Sequence, residues 1–214
     1  MIWIIFGTIC AGLYGFWLTH DPISLPRTLI KTGATFCLCV AGLSLGAPFV
    51  ILCGLLFGAI GDAFLSREQS FGFLPGLGAF LCGHLIYLIW AISQIEALQL
   101  GTTQIIISAA LFSIGVWFIR RWWSRLGSLQ IPVLTYAIIS ICLGLSAIGW
   151  IEQGIGFLFA TGVFLFVLSD IILAEQLFML EQDDLKYPIY ANLLWALYWV
   201  GQLGILLGSL SFVS

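Results

Sequence analysis

With 214 residues, of which 61% are apolar and 8% charged, and a mean hydropathy of +1.13, the chain has too much apolar surface for a soluble domain to hide. Its net charge of −3 argues against nucleic-acid binding, which needs a basic face. An integral membrane protein remains, whose helices use up nearly all of these residues and leave no room for a soluble domain.

Eight apolar segments are predicted, at about 2–18, 29–46, 48–66, 73–95, 102–119, 131–149, 153–178 and 188–210. The first, in "MIWIIFGTICAGLYGFWLTH", has neither a basic leader nor a small-residue cleavage site, so it reads as a retained helix rather than a signal peptide. The second carries Lys31 near its start and meets the third through the near-minimal link "GAP" (46–48). The third ends in "GAIGDAFLS", with Asp62 deep in the apolar run. The fourth holds His84 and Tyr87 on one face, and its Gly76, Gly78 and Gly83 suit close helix packing. The fifth runs into "RRWWSRLG" (120–127), which reads as an interfacial anchor, indoles at headgroup level and arginines toward anionic lipid. The sixth ends at the short link "WIEQ" (150–153). The seventh holds "VLSDIILAE", with Ser169 and Asp170 inside and Glu175 near the interface. The eighth starts near Pro188, with Tyr190 and Asn192 in its first turns and Tyr198 and Gln202 deeper, four apart. These runs are too long and too uniform for barrel strands, and the short links imply antiparallel neighbours. The expected fold is an all-α, eight-span bundle forming one domain over 1–214.

All seven lysines and arginines lie in or beside the links after the first, third, fifth and seventh segments. Positive links stay cytoplasmic, so both termini are expected outside, as in a multi-pass protein of a bacterial inner membrane. The polar residues gather in the cytoplasmic half, which predicts a closed-bottomed pocket opening to the cytoplasmic leaflet. The six cysteines lie in apolar runs without zinc-type spacing, and read as core residues rather than a disulfide framework or metal site. No metal or cofactor is expected. A shift of 108 residues brings Asp62 onto Asp170, Phe49 onto Phe157, Gly54 onto Gly162 and "HLIY" onto "NLLW", the pattern of a parallel four-helix repeat.

Ionisable residues inside spans are costly and usually face a bundle interior or a wet cavity. Two nearby carboxylates in low dielectric cannot both ionise easily, so such a pair holds one acid and one base. Glycosidases use that arrangement on an oxocarbenium-like transition state, and an enol ether makes a similar demand. No H-E-x-x-H motif is present to suggest zincin chemistry.

"LIKTGATF", "GAIGDAFL", "GHLIYLI", "FVLSDIILA" and "ALYWVGQLG" resemble, in order and spacing, the YhhN family, whose characterised members are lysoplasmalogenases. The resemblance covers nearly the whole chain; one departure is Thr32, where the family often has proline. It implies hydrolysis of the vinyl ether of a lysoplasmalogen to a fatty aldehyde and glycerophosphoethanolamine or glycerophosphocholine. Asp62, Asp170 and His84 are the catalytic candidates, Asp170 leaning to the acid. Lys31, Tyr87, Ser169, Tyr190, Asn192, Tyr198 and Gln202 are the substrate-binding candidates, with Lys31 at the lipid phosphate. Expected partners are the lysophospholipid and membrane lipids. Two other readings stay open: a small proton-coupled transporter, and a non-catalytic lipid-binding or assembly protein.

Overall fold

The structure, a computed structural model, describes residues 1–67, 69–94, 101–151, 156–181 and 183–212, and among these it is helical throughout, without strands. The helices are α1 (Ile2–Leu13), α2 (Leu25–Leu45), α3 (Phe49–Leu65), α4 (Gln69–Ser93), α5 (Thr102–Trp122), α6 (Gln130–Ile151), α7 (Phe157–Phe178) and α8 (Tyr187–Ser209). Helix is the demanded answer in an apolar solvent, since every backbone N–H and C=O must be paired within the segment. Six of the eight, α2 and α4–α8, are long and apolar enough to cross a membrane. The stretch Ile2–Leu18 and α3 are apolar but shorter. The start of the predicted seventh segment, 153–155, and part of the "WIEQ" link lie outside the described residues.

Local chemistry sets the helix ends that matter for the site. α1 passes into a π-helical turn, Tyr14–Leu18, where the Thr19 hydroxyl donates to the Tyr14 carbonyl at 2.8 Å. Arg27 holds that end too, its Nε donating to the Leu18 carbonyl at 3.0 Å. Ser24 caps α2, accepting from the Arg27 N–H. α2 stops at Gly46, whose φ of +74° suits glycine, and the Ala47 N–H turns back to the Gly42 carbonyl at 2.9 Å. Pro48 then starts α3, so a three-residue link suffices. In α4, Pro75 lacks the N–H that would reach back one turn.

Most chain neighbours pack on one another, and α4–α6, α2–α8 and α3–α8 contacts join the half α1–α4 to the half α5–α8. α7 and α8 approach through glycine: a Cβ on Gly162 would lie 2.5 Å from the Ile205 nitrogen. Such backbone-to-backbone contact is how helices associate where lipid supplies no hydrophobic drive. α5 is the outlier, burying only Trp122 while Ile106, Phe112 and Trp117 face outward. The anchor reading of "RRWW" changes here: Trp122 turns inward, its Nε1 donating to Glu175 Oε1 at 3.2 Å beside Arg121 Nε at 2.9 Å. The cluster pins α5 to α7, because a carboxylate at the bundle edge gathers every nearby donor.

At the end where α4 and α6 finish and α7 begins, Trp90, Trp150 and Phe159 are buried against each other with centroids 4.9–5.4 Å apart. Among the described residues, these aromatic rings fill the bundle at that end.

Candidate active site

At the opposite end, α1, α3 and α7 finish and α2, α4 and α8 begin, and a cavity of about 190 Å³ lies between them. This is also the end that bears the basic links. Asp62 and Asp170 both line it, one from α3 and one from α7.

Asp62 is buried and surrounded by donors. Thr35 Oγ1 donates to its Oδ2 at 2.7 Å and the Tyr198 hydroxyl at 2.9 Å, while Lys31 Nζ stands 3.6 Å from Oδ1. An ionised carboxylate only accepts, and these partners match that form. Lys31 and Thr35 are one turn apart on α2, so both reach the same carboxylate. Gly58, one turn before Asp62, makes room: a Cβ there would lie 2.9 Å from Gln202 Nε2 and 3.1 Å from the Tyr198 oxygen.

Asp170 has a different set. The Tyr136 hydroxyl donates to Oδ1 at 2.7 Å, Ser140 Oγ donates to Oδ2 at 3.3 Å, and His84 Nε2 lies 2.9 Å from Oδ2. His84 Nδ1 faces the Phe80 carbonyl at 2.9 Å, which can only accept. The hydrogen-bond network therefore assigns a proton to Nδ1. The Nε2–Oδ2 contact then needs a second proton, carried by the imidazole or by the carboxyl. His84 is fully buried, with Phe166 at a 4.3 Å centroid separation, and does not line the cavity. It reaches the chemistry through Asp170.

The two networks are built alike. Each aspartate takes a pair of side chains one turn apart from the second helix of its own half, Lys31 and Thr35 or Tyr136 and Ser140. Each takes one ring from the fourth helix of the other half, Tyr198 or His84. The partners differ in kind: a fixed cation serves Asp62, and a titratable imidazole serves Asp170.

The remaining expected site residues fall into three groups. Ser169 and Tyr198 line the cavity, although the Ser169 hydroxyl donates to its own helix at the Phe166 carbonyl, 2.6 Å away. Tyr87 and Gln202 are buried behind it, the Tyr87 hydroxyl donating to Gln202 Oε1 at 2.8 Å. Tyr190 and Asn192 lie off the cavity, Asn192 on the exposed side of α8. The face that α8 turns inward runs through Tyr187, Ala191, Leu194, Trp195 and Tyr198, and one residue along a helix is a rotation of about 100°.

Thr35, Tyr136 and Ser140 went unread in the sequence, as did the mouth residues Tyr14, Arg27, Arg67 and Trp195. Two signals were there to use: Thr35 follows Lys31 by four, and Tyr136 precedes Ser140 by four. The 108-residue shift hides the likeness, since it sets Lys31 against Ile139. Among the described residues no three histidine, cysteine or acidic side chains converge as a metal-ion site would need.

Residues 26–209 match the model of the YhhN family. The chain is 25% identical to lysoplasmalogenase TMEM86A of Bos taurus over 205 residues, covering 90% of this chain and 82% of that protein. It is 26% identical to the TMEM86A lysoplasmalogenase of Homo sapiens with the same coverage. It is 30% identical to lysoplasmalogenase TMEM86B of Sus scrofa over 179 residues, 79% of this chain and 71% of that protein. No solved structure matches it. With the match running from the first turn of α2 to the end of α8, across both aspartates, the chain belongs to the YhhN family.

Proposed function

We propose that this protein is a membrane hydrolase that cleaves the vinyl-ether bond of a lysoplasmalogen, with Asp170 as the acid and Asp62 as the ionised partner. One observation carries the reading: two carboxylates share a cavity, one beside a fixed lysine charge and one beside a proton it shares with histidine. The lysoplasmalogenase names of the mammalian relatives support the substrate class.

The chemistry needs a proton on carbon first. The Asp170 carboxyl donates to the β-carbon of the enol ether, leaving an oxocarbenium ion and an Asp170 carboxylate. The Asp62 carboxylate faces that cation and takes a proton from the attacking water, which adds to the α-carbon as a hemiacetal. Asp62 then returns its proton to the ether oxygen while Asp170 accepts the hydroxyl proton. The hemiacetal collapses to an aldehyde and a glycerol hydroxyl, with both carboxyls restored. Lys31, Thr35 and Tyr198 hold Asp62 for this cycle; Tyr136, Ser140 and His84 hold Asp170. These last are positioning residues, and His84 keeps a proton in reserve.

The reading further includes eight spans in two parallel four-helix repeats, basic links in the cytoplasm of a bacterial inner membrane, and a cavity facing the cytoplasmic leaflet. The aromatic closure of the far end favours a blind pocket over a transport path.

Aldehyde release tests the function. Purified protein in detergent, given an ethanolamine lysoplasmalogen, should release free fatty aldehyde, and Asp62→Asn and Asp170→Asn should each lose it while still folded. If both variants keep wild-type rates, the two-carboxylate mechanism is wrong. If well-folded wild type releases nothing, proton-coupled uptake in vesicles becomes the measurement to make.

A further inference from the structure

Among the described residues, the cavity lining carries more positive charge than its carboxylates use. Arg27, Lys31 and Arg67 all line it, and its acidic lining residues are Asp62 and Asp170. Lys31 is matched by Asp62, and Asp170 is matched by the proton it shares with His84. Among the described residues no carboxylate forms an ion pair with Arg27 or Arg67. Arg27 is held in place from behind: its Nε and one terminal nitrogen donate to the Leu18 and Thr19 carbonyls at 3.0 and 3.4 Å, and its guanidinium lies 5.8 Å from the Tyr14 ring centroid. Arg67 follows α3 directly, its N–H returning to the Phe64 carbonyl at 3.0 Å.

We propose that Arg27 and Arg67 clamp the phosphate of a single-chain phospholipid at the cavity mouth and thereby set the depth at which its ether bond meets the two aspartates. The proposal rests on the hydrolase reading for the identity of that bond. Guanidinium groups donate to phosphate oxygens through charge-assisted N–H bonds; in Arg27 Nε and Nη2 are engaged, Nη2 also donating to the Tyr14 hydroxyl at 3.4 Å, which leaves Nη1 for a phosphate, and a fixed Arg loses less freedom on binding than a mobile one. The spacing also agrees. Asp62 lies three residues before the end of α3, about 4–5 Å along the helix at 1.5 Å per residue, and Arg67 stands two residues beyond that end. Arg27 precedes Lys31 by four residues and Thr35 by eight, which places it about 6–12 Å from the side chains that hold Asp62. In a lysoplasmalogen seven bonds separate phosphorus from the β-carbon that must be protonated. At about 1.2 Å of advance per bond in an extended chain, that is about 8 Å. A phosphate held by the two arginines would therefore put the enol ether at the level of the carboxylates.

The test compares two substrates that share the alkenyl chain: the ethanolamine lysoplasmalogen and the neutral 1-alkenylglycerol. The readout is the ratio of their kcat/KM values. Arg67→Gln and Arg27→Gln should each lower the ratio about tenfold, the loss of one charge-assisted interaction, chiefly through KM of the phosphate-bearing lipid. Arg27→Lys guards against loss of fold, since Arg27 also caps the end of α1; it should recover part of the ratio. A ratio unchanged in Arg67→Gln and in the double variant overturns the clamp.

Binding of the uncleavable saturated ether lysophospholipid, followed by tryptophan fluorescence, separates this proposal from the reaction. Arginine-dependent binding without aldehyde release would leave the clamp standing and remove the hydrolase reading. Aldehyde release with an unchanged ratio would do the reverse. Competition by inorganic phosphate or glycerol 3-phosphate distinguishes the sources of phosphate. Displacement at equal concentration marks a soluble phosphate site and overturns the lipid clamp; weak displacement supports a lipid headgroup held by both its phosphate and its chain.

Discussion

Replacing Tyr136 by phenylalanine separates orientation of the acid from contact with the substrate. Tyr136 is buried and does not line the cavity, so substrate should not feel the lost oxygen directly. Among the described residues its hydroxyl is the only side-chain donor on Asp170 Oδ1, at 2.7 Å, and it lies 3.4 Å from His84 Nδ1. Removing it frees the carboxyl to rotate away from the pose that His84 and Ser140 would hold through Oδ2. A hydrogen bond to a charged group contributes about 1.5–3 kcal/mol. Asp170 is 12% exposed at its side chain, so cavity water replaces part of this and the lower half of the range applies. About 1.5–2 kcal/mol is about 10- to 30-fold in rate. The expected result for Tyr136→Phe is a kcat for aldehyde release down by that factor, with KM within about twofold and a folded protein by size exclusion. Ser140→Ala, whose longer 3.3 Å contact shares Oδ2 with His84, should cost less and provides an internal gauge. A folded Tyr136→Phe with wild-type kcat, or with only KM altered, would refute the role given to Asp170.

Two further predictions concern stability. Gly162→Ala should destabilise by about 3 kcal/mol, at the high end for overpacking, because the new Cβ meets the Ile205 nitrogen and the Gly201 carbonyl, which are backbone and cannot swing aside. Thermal unfolding in detergent reads this, and Gly12→Ala, with open space at its Cβ, should leave the midpoint nearly unmoved. Lys31→Met strands the Asp62 carboxylate and should cost about 3 kcal/mol, while the double variant Lys31→Met/Asp62→Asn should recover most of that loss. Simple additivity in this cycle would mean that the two charges do not support each other.

How much of this was readable beforehand depended on the cost of each group in lipid. Eight segments were visible because an apolar run of this length has few alternatives. Their ends moved by a few residues, as at Gln69, where α4 starts before the predicted 73. Asp62, Asp170 and His84 stood out because a charge in an apolar run demands a reason. Thr35, Tyr136 and Ser140 did not, because a hydroxyl is tolerated in an apolar helix wherever it can bond its own backbone, and only helix rotation turns it onto a carboxylate. Rotation also misled at Asn192. The 108-residue shift pairs it with His84, but α8 is locked by the glycine contacts of Gly201, Gly204 and Gly208 against α7, and Asn192 is left on the outside.

The aromatic closure at Trp90, Trp150 and Phe159 bears on the energetics of the whole membrane. An interior that keeps exchangeable protons halfway across an insulating layer is one connected water file away from short-circuiting the gradient on which a cell runs. Rings packed about 5 Å apart leave little room for water to thread between them. On the proposed reading, acid–base work would proceed inside the bilayer with its protons exchanged with one compartment alone, and the membrane potential would be left intact.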